Sequence, residues 1–251
     1  MANEQLFNNR AENYAKGRLG YAEGVIDLLF CDIVKESDII ADVGSGTGIF
    51  AREFTERGFD VFCVEPNEEM RAQAEVIFAS DRHYIPVAAT AENTTLPDGC
   101  VNLVTAASAF HWFDAQKFRT ECKRILKPHG VFFSVMNART YDDPLTLRQH
   151  EICAEYCKNF TSLRHGLDKS LPRLQDFFDG NMRTAEFDFP LEYTKESFIS
   201  RSLSSSYAPD AGTAAYEKYT EKLSELLDEF AYGSDKFTVS NVSVACWGEI
   251  S

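Results

Sequence analysis

Four short clusters in the first half of the chain combine acidic, hydroxyl, imidazole and bare-backbone groups in a way that suits ligand chemistry. The first is Asp42-Val43-Gly44-Ser45-Gly46-Thr47-Gly48, where an apolar run ends in an acid and a glycine-rich turn. Glycines in such a turn let a ligand approach bare backbone more closely than any Cβ would permit. An amphipathic segment follows at once (Phe50, Ala51, Phe54 with Arg52 and Glu53 between), and a helix start there adds N–H groups that lack intrahelical partners. Buried strand, bare turn and helix start together make a nucleotide-type site. The second cluster is Glu65 with Pro66, about twenty residues past the turn, an offset that lets a carboxylate accept two hydrogen bonds from ribose hydroxyls. The third is Thr90-Ala91-Glu92, and the fourth is Ser108-Ala109-Phe110-His111-Trp112.

Elements at regular spacing are needed to bring these clusters together. Strands are expected at Ile39–Val43, Asp60–Val64, Tyr84–Val87, Val101–Ala107 and Val131–Val135. Helices are expected between them: Thr47–Arg57, a segment capped by Asn67 running to about Ala79, and one capped by Asp114 running to about Leu126. Strands separated by single helices imply a parallel sheet with right-handed crossovers. Ligands of such sheets bind at the carboxyl ends of the strands, where all four clusters lie. Residues 4–35 read as two helical segments broken near Gly17-Arg18-Leu19-Gly20. Past Val135 the pattern changes. Residues 140–180 are helical and polar, Glu186–Phe189 suits a strand, Lys195–Ser202 and Ala214–Phe230 suit helices, and Phe237–Ile250 suits one long strand or a bent pair. The expected division is a sheet domain of residues 1–139 and 186–251, with 140–185 inserted as a helical cap over the substrate site.

Bulk properties narrow the partners. The 251 residues are 44% hydrophobic and 25% charged, with a net charge of −14. So acidic a surface repels phosphate backbones and anionic lipid, which argues against nucleic acid and membrane as partners. The seven cysteines (Cys31, Cys63, Cys100, Cys122, Cys153, Cys157, Cys246) are odd in number and mostly sit in apolar runs, the pattern of free thiols in a reducing compartment. Cys153 and Cys157, one helical turn apart near His150, hint at a metal, but no second ligand pair completes a site and none is expected. With no basic-then-apolar leader and no membrane-length apolar run, a soluble cytoplasmic protein is expected, as monomer or homodimer, acting on a small molecule.

The glycine order discriminates between nucleotide ligands. A dinucleotide fingerprint reads G-x-G-x-x-G, whereas here Gly44-x-Gly46-x-Gly48 is followed by Ile49 at the place of the third glycine. This closer spacing resembles motif I of the class I S-adenosylmethionine-dependent methyltransferases. Val61–Met70 resembles that family's second strand with its ribose acid, Thr90–Asp98 its adenine-side segment, and Arg124–Val131 the turn before its fifth strand. The Ser108–Asp114 run and the Tyr14–Arg18 segment resemble the small-molecule members of trans-aconitate type. Two departures stand out: Thr90 and Asn102 occupy positions where relatives often carry Asp.

The resemblance implies an α/β, Rossmann-like, mostly parallel seven-stranded sheet with helices on both faces, and S-adenosyl-L-methionine as cofactor. By the same resemblance, Gly44, Ser45 and Gly46 would face the methionine half, and Asp42 would brace the loop or reach the methionine ammonium through water. Glu65 with Pro66 would hold the ribose. Met70, Ala91 and Glu92 would line the adenine, Ser108 would flank the methionine, and Tyr14 and Arg18 would meet its carboxylate. Phe110, Trp112 and Phe113 offer a dry wall or else core packing. His111 is the one candidate base, although an acceptor carboxylate is ionised near neutral pH and needs none. Arg139, Arg148, Arg164, Arg173 and Arg201 could hold an acidic acceptor through paired N–H groups, with Tyr207 beside them, or could simply be surface residues. An NAD-dependent oxidoreductase and a non-catalytic cofactor-binding protein are the competing readings.

Overall fold

The computed structural model describes residues 20–205, 207–230 and 236–250. Tyr14 and Arg18 lie outside the described residues.

The chain enters through α1 (Glu23–Leu28), which continues as a wider π turn over Leu29–Ile33. It then alternates β1 (Ile40–Val43), α2 (Ala51–Thr55), β2 (Val61–Val64), α3 (Glu68–Ile77), β3 (Tyr84–Val87), β4 (Val101–Ala107), α4 (Ala115–Ile125) and β5 (Leu126–Arg139). The second half adds α5 (Pro144–Tyr156), α6 (His165–Phe177), β6 (Arg183–Asp188), β7 (Leu191–Thr194), α7 (Lys195–Leu203), α8 (Ala214–Phe230), β8 (Lys236–Val239) and β9 (Asn241–Glu249). Seven strands form one sheet in the order β3-β2-β1-β4-β5-β9-β6, and β7 pairs with β8 in a separate two-stranded sheet. The pairs among β1 to β5 are parallel; β9 runs antiparallel to both β5 and β6. This is the expected Rossmann-like sheet with helices on both faces.

Strand alternation builds the two layers. Successive side chains of a strand point to opposite faces. Phe132 and Val104 accordingly join one buried cluster, with Phe110, Phe118 and Phe177, while Phe133 and Leu103 join the other, with Val25, Leu29 and Phe54. All four residues of β1 are buried, as a central parallel strand covered on both sides must be. Asn67 and Asp114 cap α3 and α4 as expected, each accepting a backbone N–H through its side chain.

The packing beyond β5 divides differently from the expected 140–185 cap. α6 puts Leu167, Leu174 and Phe177 into the core under the main sheet. α5 instead puts Leu145 and Cys153 against Tyr219, Leu223 and Leu227 of α8, in a third cluster shared with β7, α7 and β8. α5, β7, α7, α8 and β8 thus share a cluster of their own, whereas α6 packs into the core of the main sheet. The polar face of α6 hid this, because a single apolar stripe does not say which body it packs on. Phe237–Ile250 is two strands in two different sheets, split at Ser240.

Candidate functional site

The glycine turn after β1 is held in left-handed backbone, with φ of 68° at Gly44, 57° at Gly46 and 83° at Gly48. A Cβ on Gly44 would lie 2.7 Å from the Cβ of Ala109, and one on Gly48 would lie 2.4 Å from Cε2 of Phe78. The chain's own packing therefore demands glycine at both places, not only the approach of a ligand. The N–H groups of Gly44 and Ser45 donate to the carbonyl of Val64 at 2.8 and 3.2 Å, and that of Gly46 donates to Oε2 of Glu65 at 3.0 Å. The N–H groups of these three residues are therefore engaged within the chain. The helix beyond is also shorter than the 47–57 expected, since Thr47–Phe50 turn before it begins.

Two buried carboxylates sit at this turn. Glu65 follows β2, with Oε1 accepting the N–H of Asn67 at 2.9 Å. Burial raises its pKa, and the hydrogen bonds from Asn67 and Gly46 counter that rise. Asp42 lies opposite Cys63 and Thr105 in the sheet register, and Oδ1 accepts the Thr105 hydroxyl at 2.7 Å. Its Oδ2 is buried with no partner. Burial pushes the Asp42 pKa up to about 7; the Thr105 hydrogen bond resists, and the Glu65 charge adds to the rise.

Met70 and Ala91 are buried, and Pro66 is half-buried beside Glu65. Oε1 of Glu92 accepts the N–H of Asp114 at 2.8 Å, so this carboxylate ties the start of α4.

A cleft of about 340 Å³ runs from the glycine turn to the cap. Its lining includes Gly44, Ser45, Ser108, His111 and Trp112 together with Arg139, Arg201 and Tyr207. Glu65, Pro66, Met70, Ala91 and Glu92 do not line it. Ser108 adopts φ of 54°, its N–H donates to the Val135 carbonyl at 2.8 Å, and its Oγ accepts the Tyr21 hydroxyl at 3.1 Å. Tyr21 stands edge-on to Phe50 with centroids 5.1 Å apart, and both line the cleft. Sequence reasoning missed Tyr21, three residues beyond the Arg18 it selected. It also missed Gln149, which is buried in the cleft wall and donates to Ser202 Oγ at 3.1 Å.

Of the three aromatics offered as a dry wall, Phe110 is fully buried among Phe118, Phe132 and Phe177. Phe113 packs against that cluster, and Trp112 alone lines the cleft. The imidazole of His111 lies 4.7 Å from the Trp112 ring, and the guanidinium of Arg173 donates to the carbonyls of His111 and Phe113, which fixes this turn from α6. Among the described residues no group of His, Cys, Asp and Glu could hold a metal, and no helix is long and apolar enough to cross a membrane.

An open sheet in this strand order, with a glycine turn after β1 and a carboxylate after β2, has counterparts among known proteins. Residues 41–134 match the methyltransferase domain family. The matched span runs from β1 into β5 and holds all four clusters that the sequence singled out. An uncharacterized methyltransferase of Mycobacterium tuberculosis is 33% identical over 133 residues, covering 53% of this chain and 52% of its own length. The malonyl-[acyl-carrier protein] O-methyltransferase of Pectobacterium atrosepticum is 33% identical over 93 residues, covering 37% of this chain and 36% of its own. The chain spans about half the length of the first curated relatives it matches. Among solved structures, a candidate type II methyltransferase from Anaeromyxobacter dehalogenans superposes with a TM-score of 0.68 at 21% identity, covering 92% of this chain and 97% of that one. Haemonchus contortus phosphoethanolamine N-methyltransferase 2, solved with phosphomonomethylethanolamine and S-adenosylhomocysteine, superposes with a TM-score of 0.51 at 14% identity, covering 91% and 52%. At these identities the likeness is one of fold.

Proposed function

We propose that the protein transfers a methyl group from S-adenosyl-L-methionine to a small-molecule acceptor of carboxylate type. What carries this reading is the cleft: it opens at Gly44, Ser45 and Ser108, beside the two buried carboxylates Asp42 and Glu65, and continues without interruption to the cap. The residues suit the donor. Glu65 is an anionic acceptor for ribose hydroxyls, and the unpartnered Oδ2 of Asp42 is an acceptor for the ammonium, reached through water. Ser108 flanks the methionine end; the adenine is assigned by the family resemblance to Met70, Ala91 and Pro66, outside the cleft lining, and the methionine carboxylate to Tyr14 and Arg18.

The donor supplies an already activated methyl on a positively charged sulfur. What remains for the chain is to align the acceptor atom with the carbon–sulfur bond and keep water out. Trp112 and Tyr21 form that dry wall, and Arg201 and Tyr207 face the acceptor from the cap. His111 is placed to take a proton from an acceptor that carries one; a carboxylate acceptor does not call on it. The trans-aconitate-like subtype, a cytoplasmic location and a monomer or homodimer belong to the same reading.

Calorimetric titration with S-adenosylhomocysteine tests the donor half, with binding expected and silence fatal to it. Turnover of methyl-labelled donor against acid, amine and thiol metabolites tests the acceptor half. Donor-product binding without turnover of any class would favour a non-catalytic cofactor binder, and NADH binding in its place would favour an oxidoreductase.

A further inference from the structure

The turn from Ser108 to Asp114 has a different neighbour on each side. It backs the glycine turn, since a Cβ on Gly44 would lie 2.7 Å from Cβ of Ala109 and 3.1 Å from Cζ of Phe113. It also faces the cleft, through Ser108, His111 and Trp112. Both its ends are pinned by backbone N–H groups: Ser108 donates to the Val135 carbonyl, and Asp114 donates to Oε1 of Glu92 at 2.8 Å. Between them lies one short helical turn, Phe110–Trp112. Carbonyls at the end of so short a turn have no partner further along it and must find one elsewhere.

Arg173 of α6 is that partner. Its Nη1 donates to the His111 carbonyl at 3.4 Å and its Nη2 to the Phe113 carbonyl. The guanidinium lies 5.3 Å from the ring centroid of Phe110, in the middle of the turn. Its planar fork offers two nitrogens at a fixed spacing, which one ammonium does not reproduce. Arg173 itself does not line the cleft. Gly166, Lys169 and Arg173 are three and four residues apart and so share one face of α6. A Cβ on Gly166 would lie 3.6 Å from Cε1 and Nδ1 of His111, so the start of α6 runs beside that imidazole. Nζ of Lys169 lies 6.0 Å from the centroid of the Trp112 ring. Leu167, Leu171, Leu174 and Phe177 of the same helix pack into the core of the main sheet. One set of α6 side chains thus anchors the helix, and another grips the turn.

We propose that Arg173 is a positioning residue: by holding the His111 and Phe113 carbonyls it fixes one turn as the wall common to the donor and acceptor sides of the cleft. This rests on the methyltransferase reading and adds to it a residue that acts only through others. Release of the turn would draw Ala109 and Phe113 away from Gly44 and shift Trp112 in the cleft in the same event. In-line methyl transfer depends on both sides keeping their places, because a small misplacement of the reacting groups costs much of the rate.

The test uses the full chain. It has two tryptophans, Trp112 and Trp247, so the Trp247→Phe parent reports on Trp112 alone. Acrylamide quenching reads how accessible that ring is, and calorimetry reads S-adenosylhomocysteine affinity. Adding Arg173→Gln is expected to raise the quenching constant about twofold and to weaken S-adenosylhomocysteine binding by about three- to tenfold, part of what hydrogen bonds from a charged donor are worth. Arg173→Lys keeps the charge and loses the fork, and is expected to move both readings in the same direction. It decides the matter if circular dichroism shows that the glutamine variant is unfolded. A merely structural role would lower the melting temperature and leave both readings, taken well below it, as they are in the parent. Either reading unchanged in the folded variant that decides overturns the positioning role. Unfolding of both variants overturns it as well, since Arg173 is then needed for the fold itself. If S-adenosylhomocysteine fails to bind the parent, the donor reading falls, and Trp112 quenching alone scores the hold of Arg173 on the turn.

Discussion

Asp42 makes a prediction that needs no ligand. A free aspartate releases its proton near 3.9. In the fold, burial pushes Asp42 up to about 7. Between those values the native state keeps a proton that the unfolded chain has already given up, so stability falls as pH rises across the window. The separation is about three pH units at about 1.4 kcal/mol each, an upper figure of about 4 kcal/mol at pH 8. Local relaxation brings the expected value to about 2–4 kcal/mol. Asp42→Asn keeps an oxygen for the Thr105 hydroxyl and cannot ionise, so its difference from wild type isolates this one group. Urea unfolding at pH 4.5 and pH 8 should give nearly equal stabilities at the lower pH and a more stable variant at the higher. A variant-minus-wild-type difference that is the same at both pH values, within about 0.5 kcal/mol, would mean that Asp42 is ionised at little cost and that its unpartnered oxygen is solvated.

Two more predictions concern the turn. Glu65→Gln should weaken S-adenosylhomocysteine binding by about ten- to a hundred-fold, because a hydrogen bond to a charged acceptor is worth ~1.5–3 kcal/mol; calorimetry reads this, and unchanged affinity in folded protein would remove Glu65 from the ribose role. Gly44→Ala forces a Cβ to 2.7 Å from that of Ala109 at a φ of 68°, so the expected cost is about 1–3 kcal/mol, seen as a melting temperature lower by several degrees. A melting temperature equal to wild type would show that the turn can shift away from Ala109.

The sequence by itself determined the β1–β5 half. There most strands are short apolar runs, and each functional cluster follows its strand within a few residues, so local pattern and local chemistry coincide. Asp42, Glu65 and the Ser108–Trp112 turn could be located for that reason. Only the tertiary structure decided what those groups have left to offer. The loop N–H groups are consumed by Val64 and Glu65, Glu92 is tied to Asp114, and Phe110 is core. The cap was illegible for the same physical reason: α5, β7, α7, α8 and β8 bury their apolar stripes against one another across long separations, and a stripe records that it is buried but not by what. Five arginines looked alike along the chain; only the fold shows that Arg148 and Arg164 meet carboxylates, that Arg173 is spent on backbone carbonyls, and that Arg139 and Arg201 line the cleft.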